Sequence, residues 1–137
     1  MSLLNIFDIA NSAMTAQSTK IQMHASNLAN MDSLVEKNGK LYPYIAKKII
    51  FEFDDTKDSI LGGVKVKEII EDTQTPFKKV YDPNNPISDS QGFAEISNVN
   101  IITETINAIS ASRAYQANLE MLNTAKSMFL KTLTIGQ

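Results

Sequence analysis

The chain has 137 residues, no cysteine and a formal net charge of −2 at pH 7. This length predicts one domain, and the absence of cysteine excludes disulfides and cysteine-based zinc sites. No basic tail or stripe is present, which excludes the charge pattern of a nucleic-acid-binding protein. No apolar run is long enough to cross a bilayer, so we expect neither a nucleic-acid partner nor membrane insertion.

The first region, residues 1–33, is predicted to form one long helix from residue 2 to about 31. Residues of one seam recur there at alternating spacings of four and three, a heptad pattern: Leu3, Phe7, Ala10, Met14, Gln17, Ile21, His24, Leu28 and Met31. The helix would be roughly 45 Å long. The start of the chain has no basic segment and carries Asp8 among its apolar residues, so we predict no cleavable secretory signal.

The middle region, residues 34–97, contains all four prolines and four of the five glycines. Partial alternation of apolar and polar residues predicts short strands at 46–53, 63–71, 78–81 and 93–97. The stretches 73–77 and 82–92 are typical of turns and loops. The pattern therefore predicts a small β-rich domain between two helical ends.

The last region, residues 98–137, is predicted to form a helix of roughly 50 Å from about 99 to 133. One seam again follows heptad spacing: Ile101, Thr105, Ala108, Ser112, Tyr115, Leu119, Leu122, Lys126, Phe129 and Leu133. A second stripe runs beside it: Ile106, Ser110, Ala114, Ala117, Met121 and Met128. This helix is therefore apolar on more than one side.

These regions predict an α+β fold whose long N- and C-terminal helices pair as an antiparallel-type coiled coil beside a small β-rich middle domain. Pairing buries one seam, and the surplus apolar surface requires partners from other chains. The residues expected at this assembly interface are Leu3, Phe7, Ala10, Met14, Ile21, Asn27, Leu28, Asn30, Ile106, Tyr115, Leu119, Met121, Leu122, Met128, Phe129 and Leu133.

Side chains for catalysis or metal binding are scarce. His24 is the one histidine, so a structural place on the helix seam is favoured over a ligand role. Segment 82–93 resembles a calcium loop but has Ile87 where glycine is needed and Phe93 where the bidentate glutamate is needed. Carboxylates cluster at Asp54, Asp55 and Asp58 and at Glu68, Glu71 and Asp72, where solvated strand ends explain them. We predict no enzyme activity, no cofactor and no metal.

Lysine pairs lie on the presumed strands, at 47–48, 65 and 67, and 78–79. Such pairs attract anionic lipid, and they also discourage exposed strand edges from pairing with other chains. We favour protection of strand edges.

Three segments carry a resemblance to a known family. "SAMTAQSTKIQMHASNLANMDS" (12–33) and "ISASRAYQANLEMLNTAKSMFLKTLTIGQ" (109–137) resemble the terminal signatures of bacterial flagellar axial proteins. "GVKVKEIIEDTQTPFKKVYDPNNPISDSQGF" (63–93) is similar to the short members that build the proximal rod. The resemblance covers essentially the whole chain.

The resemblance implies a structural subunit of the flagellar basal-body rod, with paired terminal helices in the inner tube of a helical shaft. The shaft would surround the export channel, pass torque from the membrane ring to the hook and span the periplasm. Implied partners are other copies of the chain, other rod proteins, and the base of the export apparatus and membrane ring. Export without a cleaved signal, by the flagellar type III apparatus, is also implied.

Two questions stay open at this point. Asn27 and Asn30 either cap the first helix locally, in the left-handed conformation that asparagine tolerates, or bond between subunits. Among other classes of protein, a soluble coiled-coil adaptor such as a secretion chaperone is the main alternative, and a small hydrolase has almost no support in the residue inventory.

Overall fold

A computed structural model describes residues 3–55 and 62–135, except for the side chains of residues 3 and 4. Its elements are α1 (Leu3–Ala29), β1 (Leu34–Lys37), β2 (Lys40–Pro43), β3 (Lys47–Asp54), β4 (Gly63–Glu71), β5 (Lys78–Tyr81), β6 (Phe93–Ile96) and α2 (Ile101–Ile135). The predicted α+β class is confirmed, as are the predicted helices and strands to within about two residues. The side chain of Leu3 and the carboxylate of Asp58 lie outside the described residues.

Asparagines mark the helix ends, but not in the expected way. The Asn100 side-chain oxygen accepts the backbone N–H groups of Ile102 and Thr103, which satisfies unpaired donors of the first turn of α2. At the end of α1, Asn30 keeps a right-handed backbone and its side-chain amide donates to the Ser26 carbonyl at 2.9 Å. Asn38 is the one described non-glycine residue with a positive φ, so neither Asn27 nor Asn30 forms a left-handed cap, whereas the side chain of Asn30 does bond locally at the end of α1.

The described residues of the middle region form three separate two-stranded antiparallel sheets, β1–β2, β3–β4 and β5–β6. The β1–β2 hairpin was not predicted. Its turn has Asn38 at φ 55° and Gly39 at φ 74°. Two consecutive positive φ values characterise the type I′ turn, and Asn-Gly is its preferred sequence, so the signal for this hairpin was present.

The long β3–β4 hairpin packs on α1. Ser12 of α1 accepts the Val64 N–H at 3.2 Å, and the Lys20 ammonium lies 5.9 Å from the centre of the Phe51 ring. A Cβ at Gly63 would lie 2.8 Å from the Ser12 hydroxyl oxygen, so the close approach of β4 to α1 requires glycine there.

Helix α1 lies between α2 and the β3–β4 hairpin. From residue 5 onward, its exposed residues form one narrow strip of four polar residues and two alanines: Asp8, Asn11, Thr15, Gln22, Ala25 and Ala29. Because His24 and Asn27 contact Glu104 in the first turn of α2, α2 can pack along α1 only by running back towards the start of α1. The two helices are therefore antiparallel, as predicted.

Candidate assembly surface

Helix α1 packs against a row of small residues on α2. Ala111 and Ala125 are almost completely buried, and Asn118 is half-buried between them. On the predicted heptad seam, by contrast, Leu119 and Lys126 are exposed. Alanines let two helix backbones approach closely, so α1 settles between the two apolar stripes of α2 instead of on either one.

The small side chain of Ala111 is predicted to set the distance between the helices. We expect Ala111→Leu to lower the free energy of unfolding by about 1–3 kcal/mol, because it adds volume at an almost completely buried position. Ala117→Leu places the same side chain at an exposed position of α2 and is expected to change stability little. Urea unfolding followed by circular dichroism measures both, and equal effects of the two variants would contradict this packing.

Two exposed apolar stripes of α2 therefore flank α1. At about 100° per residue, the first flank contains Tyr115, Leu119, Leu130 and Leu133, and the second flank contains Ile106, Met121, Met128 and Ile135. Leu119 is 41% exposed and Met121 is 46% exposed. Both flanks hold large apolar side chains that α1 does not cover.

A polar row occupies the side of α2 that faces away from α1. From the middle of the helix onward it consists of Arg113, Gln116, Glu120, Asn123, Ser127 and Lys131, all exposed. Around the outside of α2, the surface thus changes from apolar to polar and back to apolar. This arrangement suits a helix that has protein on two sides and water on a third.

The residues predicted for the assembly interface fall into two groups. Ile106, Tyr115, Leu119, Met121, Met128, Phe129 and Leu133 are exposed. Phe7, Met14, Ile21, Leu28 and Leu122 are half-buried, and Ala10 is fully buried. The second group packs within the chain, while the first remains open to a neighbour.

Asn27 ties α1 to the middle region. Its side-chain oxygen accepts the Tyr44 hydroxyl at 3.0 Å and the Lys47 N–H at 2.9 Å. Its amide nitrogen donates to the Lys47 carbonyl at 2.9 Å and to the Glu104 carboxylate at 3.0 Å. Asn27 is fully buried, and every one of these partners belongs to the same chain.

Glu104 extends this cluster to the histidine of α1. His24 Nδ1 donates to Glu104 Oε2 at 2.6 Å, and both side chains are largely buried. His24 Nε2 is buried with no hydrogen-bond partner among the described residues. The structural role predicted for His24 agrees with this pairing, which joins α1 to the first turn of α2.

Asn98 makes a second connection between the middle region and the helices. Its side-chain oxygen accepts the Ala46 N–H at 2.8 Å, and its amide donates to the carbonyls of Asp72 and Thr75 at 2.9 and 3.1 Å. Asn27, in α1, and Asn98, just before α2, thus bond to the consecutive residues Lys47 and Ala46. We call Asn27, Asn98, His24 and Glu104 the polar junction.

Asp72 fixes the chain beside the polar junction. Its hydrogen bonds with the Lys48 ammonium, at 2.8 Å, and the Thr75 hydroxyl, at 2.6 Å, lower the pKa of this buried carboxyl to about 2. Backbone N–H groups of Gln74 and Thr75 also bond to it. Each of these partners favours the ionised form.

The pKa of Asp72 predicts a loss of stability in acid. Because the folded-state pKa is about 2 and the ordinary value is 3.8, the stabilisation is complete above pH 4 and disappears as pH falls to about 2. Urea midpoints between pH 2 and 7 should fall over this interval. Asp72→Asn should lower the midpoint at pH 7 and make the acid-induced fall smaller, and an unchanged fall would contradict the assignment.

The lysine pairs of the strands face carboxylates. Lys65 lies 3.6 Å from Asp54, and Lys79 lies 3.8 Å from Glu95 on the paired strand. The Lys48 ammonium contacts Asp72, as described above. Ion pairs across strands favour the interpretation of these lysines as strand-edge residues over a basic surface for lipid.

No reactive centre emerges in residues 3–55 and 62–135. Within these ranges, no three histidine or acidic side chains converge in a geometry that would hold a metal ion. In loop 82–92, the Asp89 carboxylate accepts the N–H groups of Gln91 and Phe93, both at 2.9 Å, and these bonds close a turn.

Neither described helix has the combination of length and hydropathy that crosses a membrane.

Comparison with known proteins agrees at both ends of the chain. The family model described as "Flagella basal body rod protein" matches residues 7–33, and "Flagellar basal body rod FlgEFG protein C-terminal" matches residues 90–135. These ranges contain most of α1 and all of α2.

Whole-chain relatives are similar over their full length. The flagellar basal-body rod protein FlgC of Buchnera aphidicola from Acyrthosiphon pisum is 60% identical, and those of Escherichia coli O6:H1 and Salmonella typhimurium are each 53% identical. In every case the alignment covers 137 residues and 100% of both chains. The chain belongs to the FlgC family of flagellar basal-body rod proteins, and it is a structural subunit and not an enzyme.

Proposed function

We propose that this subunit polymerises through its terminal helices into the proximal part of the rod, the shaft that passes torque from the membrane ring to the hook. The central support is the surface of α2, with exposed apolar flanks on either side of a polar row. Apolar surface of this extent requires cover from neighbouring chains. Helices of adjacent subunits would pack along both flanks.

The polar row indicates which side of α2 would face the channel of the proposed shaft. If neighbouring subunits cover both flanks and α1 covers the side of α2 that faces it, one side of α2 remains uncovered. That side carries the polar row from Arg113 to Lys131. A hydrated row of mixed charge suits the wall of a water-filled export channel. The β3–β4 hairpin, which packs on α1, would then face outward.

Torque transmission requires that the middle region keep a fixed orientation on the helices. The polar junction supports this requirement, because Asn27 and Asn98 bond to backbone groups of Lys47, Ala46 and Asp72. Buried hydrogen bonds of this kind resist rotation better than apolar contacts, since a small displacement leaves several polar groups unpaired. The polar junction would therefore transmit force between the terminal helices and the middle region.

The proposed partners are other copies of the chain, other rod proteins, and the base of the export apparatus and membrane ring. The proposed location is the part of the basal body that crosses the periplasm. The proposed route is the flagellar type III export apparatus, without a cleaved signal.

Basal-body purification tests the proposal. After hook and filament are removed, a tagged full-length chain that complements a strain lacking its own subunit is expected in the rod fraction. The adaptor alternative predicts a discrete cytoplasmic dimer instead. Recovery of the chain as such a dimer, with none in the rod fraction, would contradict the proposed function.

A further inference from the structure

The β1–β2 hairpin ends in an exposed Asn-Gly pair. Asn38–Gly39 is the one such pair in the sequence, and both of its residues are exposed. Within residues 3–55 and 62–135, the Asn38 side chain makes no hydrogen bond. Asn27, Asn30 and Asn98, by contrast, are held by the hydrogen bonds described above. The side-chain amide carbon of Asn38 is therefore open to attack.

The backbone nitrogen of Gly39 is open as well. Lys37 and Lys40 pair across the turn, and the hydrogen bonds of a two-residue hairpin end at that pair. The Gly39 N–H lies inside the turn, beyond the last of these bonds. A Cβ placed on Gly39 would meet nothing within 4 Å, so no side chain shields this part of the turn.

These two groups are the reactants of deamidation through a cyclic imide. The Gly39 nitrogen loses its proton to hydroxide or a buffer base and forms a bond to the Asn38 side-chain carbonyl carbon. The Cγ–Nδ2 bond of Asn38 then breaks, and its nitrogen takes up a proton and leaves as ammonia. Water opens the ring at either carbonyl, which leaves aspartate or isoaspartate at position 38. The net reaction consumes water, releases ammonia and involves no oxidant or reductant.

Two lysines favour ring closure. Lys37 and Lys40 directly precede and follow the Asn-Gly pair. Their positive charge stabilises the anionic Gly39 nitrogen and the oxyanion that forms when it attacks Asn38. The Lys37 ammonium lies 3.9 Å from the Glu71 carboxylate, which offsets part of this effect. Because both lysines are exposed, their assistance weakens as ionic strength rises.

We propose that Asn38 is a site of spontaneous deamidation and that its isoaspartyl product breaks the register of the β1–β2 hairpin. Isoaspartate carries the main chain through the side-chain carbonyl, which adds one methylene to the backbone of the turn. Turn type and loop length fix the register of a hairpin, and the lengthened backbone no longer fits a two-residue turn. Strands β1 and β2 have four residues each, so few bonds oppose the change.

Loss of this register would open a cavity beside the hairpin. Val35 and Tyr42 are partners across the two strands. Both line an open cavity of about 400 Å³, together with Ile45 and Phe77. A shift of one residue in either strand would turn its side chains to the other face of the sheet. Deamidation in the turn would thus change a surface several residues away.

The aspartyl product is expected to keep the hairpin. Asp-Gly is also a preferred sequence of type I′ turns. Its carboxylate would lie next to Lys37 and Lys40, which otherwise face each other as like charges. Asn38→Asp therefore introduces the new charge without the added methylene, and it is the matched control variant.

Peptide mapping tests the site. The full-length chain is incubated at pH 8, and isoaspartate is identified by a methyltransferase specific for isoaspartyl carboxylates. The internal control is Asn84, which is exposed but precedes Asn85, whose N–H donates to the Asp82 carbonyl at 3.2 Å. This hydrogen bond alone should slow ring closure about two- to tenfold. Faster isoaspartate formation at Asn38 than at Asn84 supports the site. Equal rates, or no isoaspartate at position 38, would overturn it.

Trypsin cleavage after Lys40 tests the effect on the hairpin. Anion exchange separates the isoaspartyl chain from the unmodified chain, and both are compared with Asn38→Asp. Because cleavage tracks the population of the open hairpin, the isoaspartyl chain should be cut about three- to tenfold faster than the other two. Equal rates for all three, or equally fast cleavage of Asn38→Asp, would overturn the loss of register. The site lies outside the terminal helices, so neither result bears on the proposed function.

Discussion

Leu119→Asp is expected to abolish rod assembly and swimming while leaving the chain folded. Leu119 is in the middle of the first flank of α2, 41% exposed in the single chain. Because less than half of this side chain is still exposed, covering it with a neighbouring subunit contributes about 0.5–1 kcal/mol per contact. A carboxylate there must instead lose its water without a partner, which costs several kcal/mol more. Complementation of a strain that lacks the subunit, with counting of basal bodies, measures the effect.

The matched control is Gln116→Asp, one turn away on the polar row. It introduces the same carboxylate on the same helix, but on the side proposed to face water. We expect near-normal assembly from this variant. Swimming with Leu119→Asp, or loss of assembly with both variants, would contradict the distinction between flank and polar row. Circular dichroism of the purified variants separates a failure to assemble from a failure to fold.

Asn27→Ala is expected to cause the largest loss of stability among single changes in α1. The substitution leaves the N–H and C=O of Lys47 and the Tyr44 hydroxyl without their buried partner. At about 1–3 kcal/mol for each unpaired buried group, we expect the free energy of unfolding to fall by about 3–5 kcal/mol. This is a large part of the total for a small domain. Urea unfolding of the full chain measures it.

Asn30→Ala is the natural control, because Asn30 is in the same helix end and has the same side chain. Its amide bonds only within its own turn, to Ser26, and to Ser33 nearby. We expect a loss of about 1 kcal/mol or less. Asn27→Asp should be as harmful as Asn27→Ala, since it places a carboxylate beside Glu104. Similar stabilities of Asn27→Ala and Asn30→Ala would show that Asn27 does not hold the junction.

Heptad spacing predicted both helices and the surplus of apolar surface, but not which side of α2 meets α1. Heptad spacing identifies stripes from the hydrophobicity of their residues, and Leu119 is more hydrophobic than Ala111. Packing instead buried Ala111 and Ala125, whose small side chains allow a neighbouring helix to approach. Neither predicted stripe includes Ala111 or Ala125, and much of the stripe that contains Leu119 remains exposed.

The polar junction could not be predicted from the sequence because its members are far apart in the chain. Asn27 bonds to Tyr44, Lys47 and Glu104, which are 17, 20 and 77 positions away. Asn98 bonds to residues that are 23, 26 and 52 positions away. The pattern in "ASNLAN" indicates a helix end, which describes Asn30 correctly, but no local signal distinguishes Asn27 from Asn30. The β1–β2 hairpin is different, because its Asn-Gly turn is a local signal that predicts a hairpin by itself.

Electron cryomicroscopy of intact basal bodies tests most directly whether neighbouring subunits cover both flanks of α2. The account predicts density in which Leu119 and Met121 each pack against a helix of another subunit, on opposite sides of α2. Gln116 and Asn123 should line the channel. Density that places the row from Arg113 to Lys131 between subunits, with Leu119 and Met121 facing water, would contradict it.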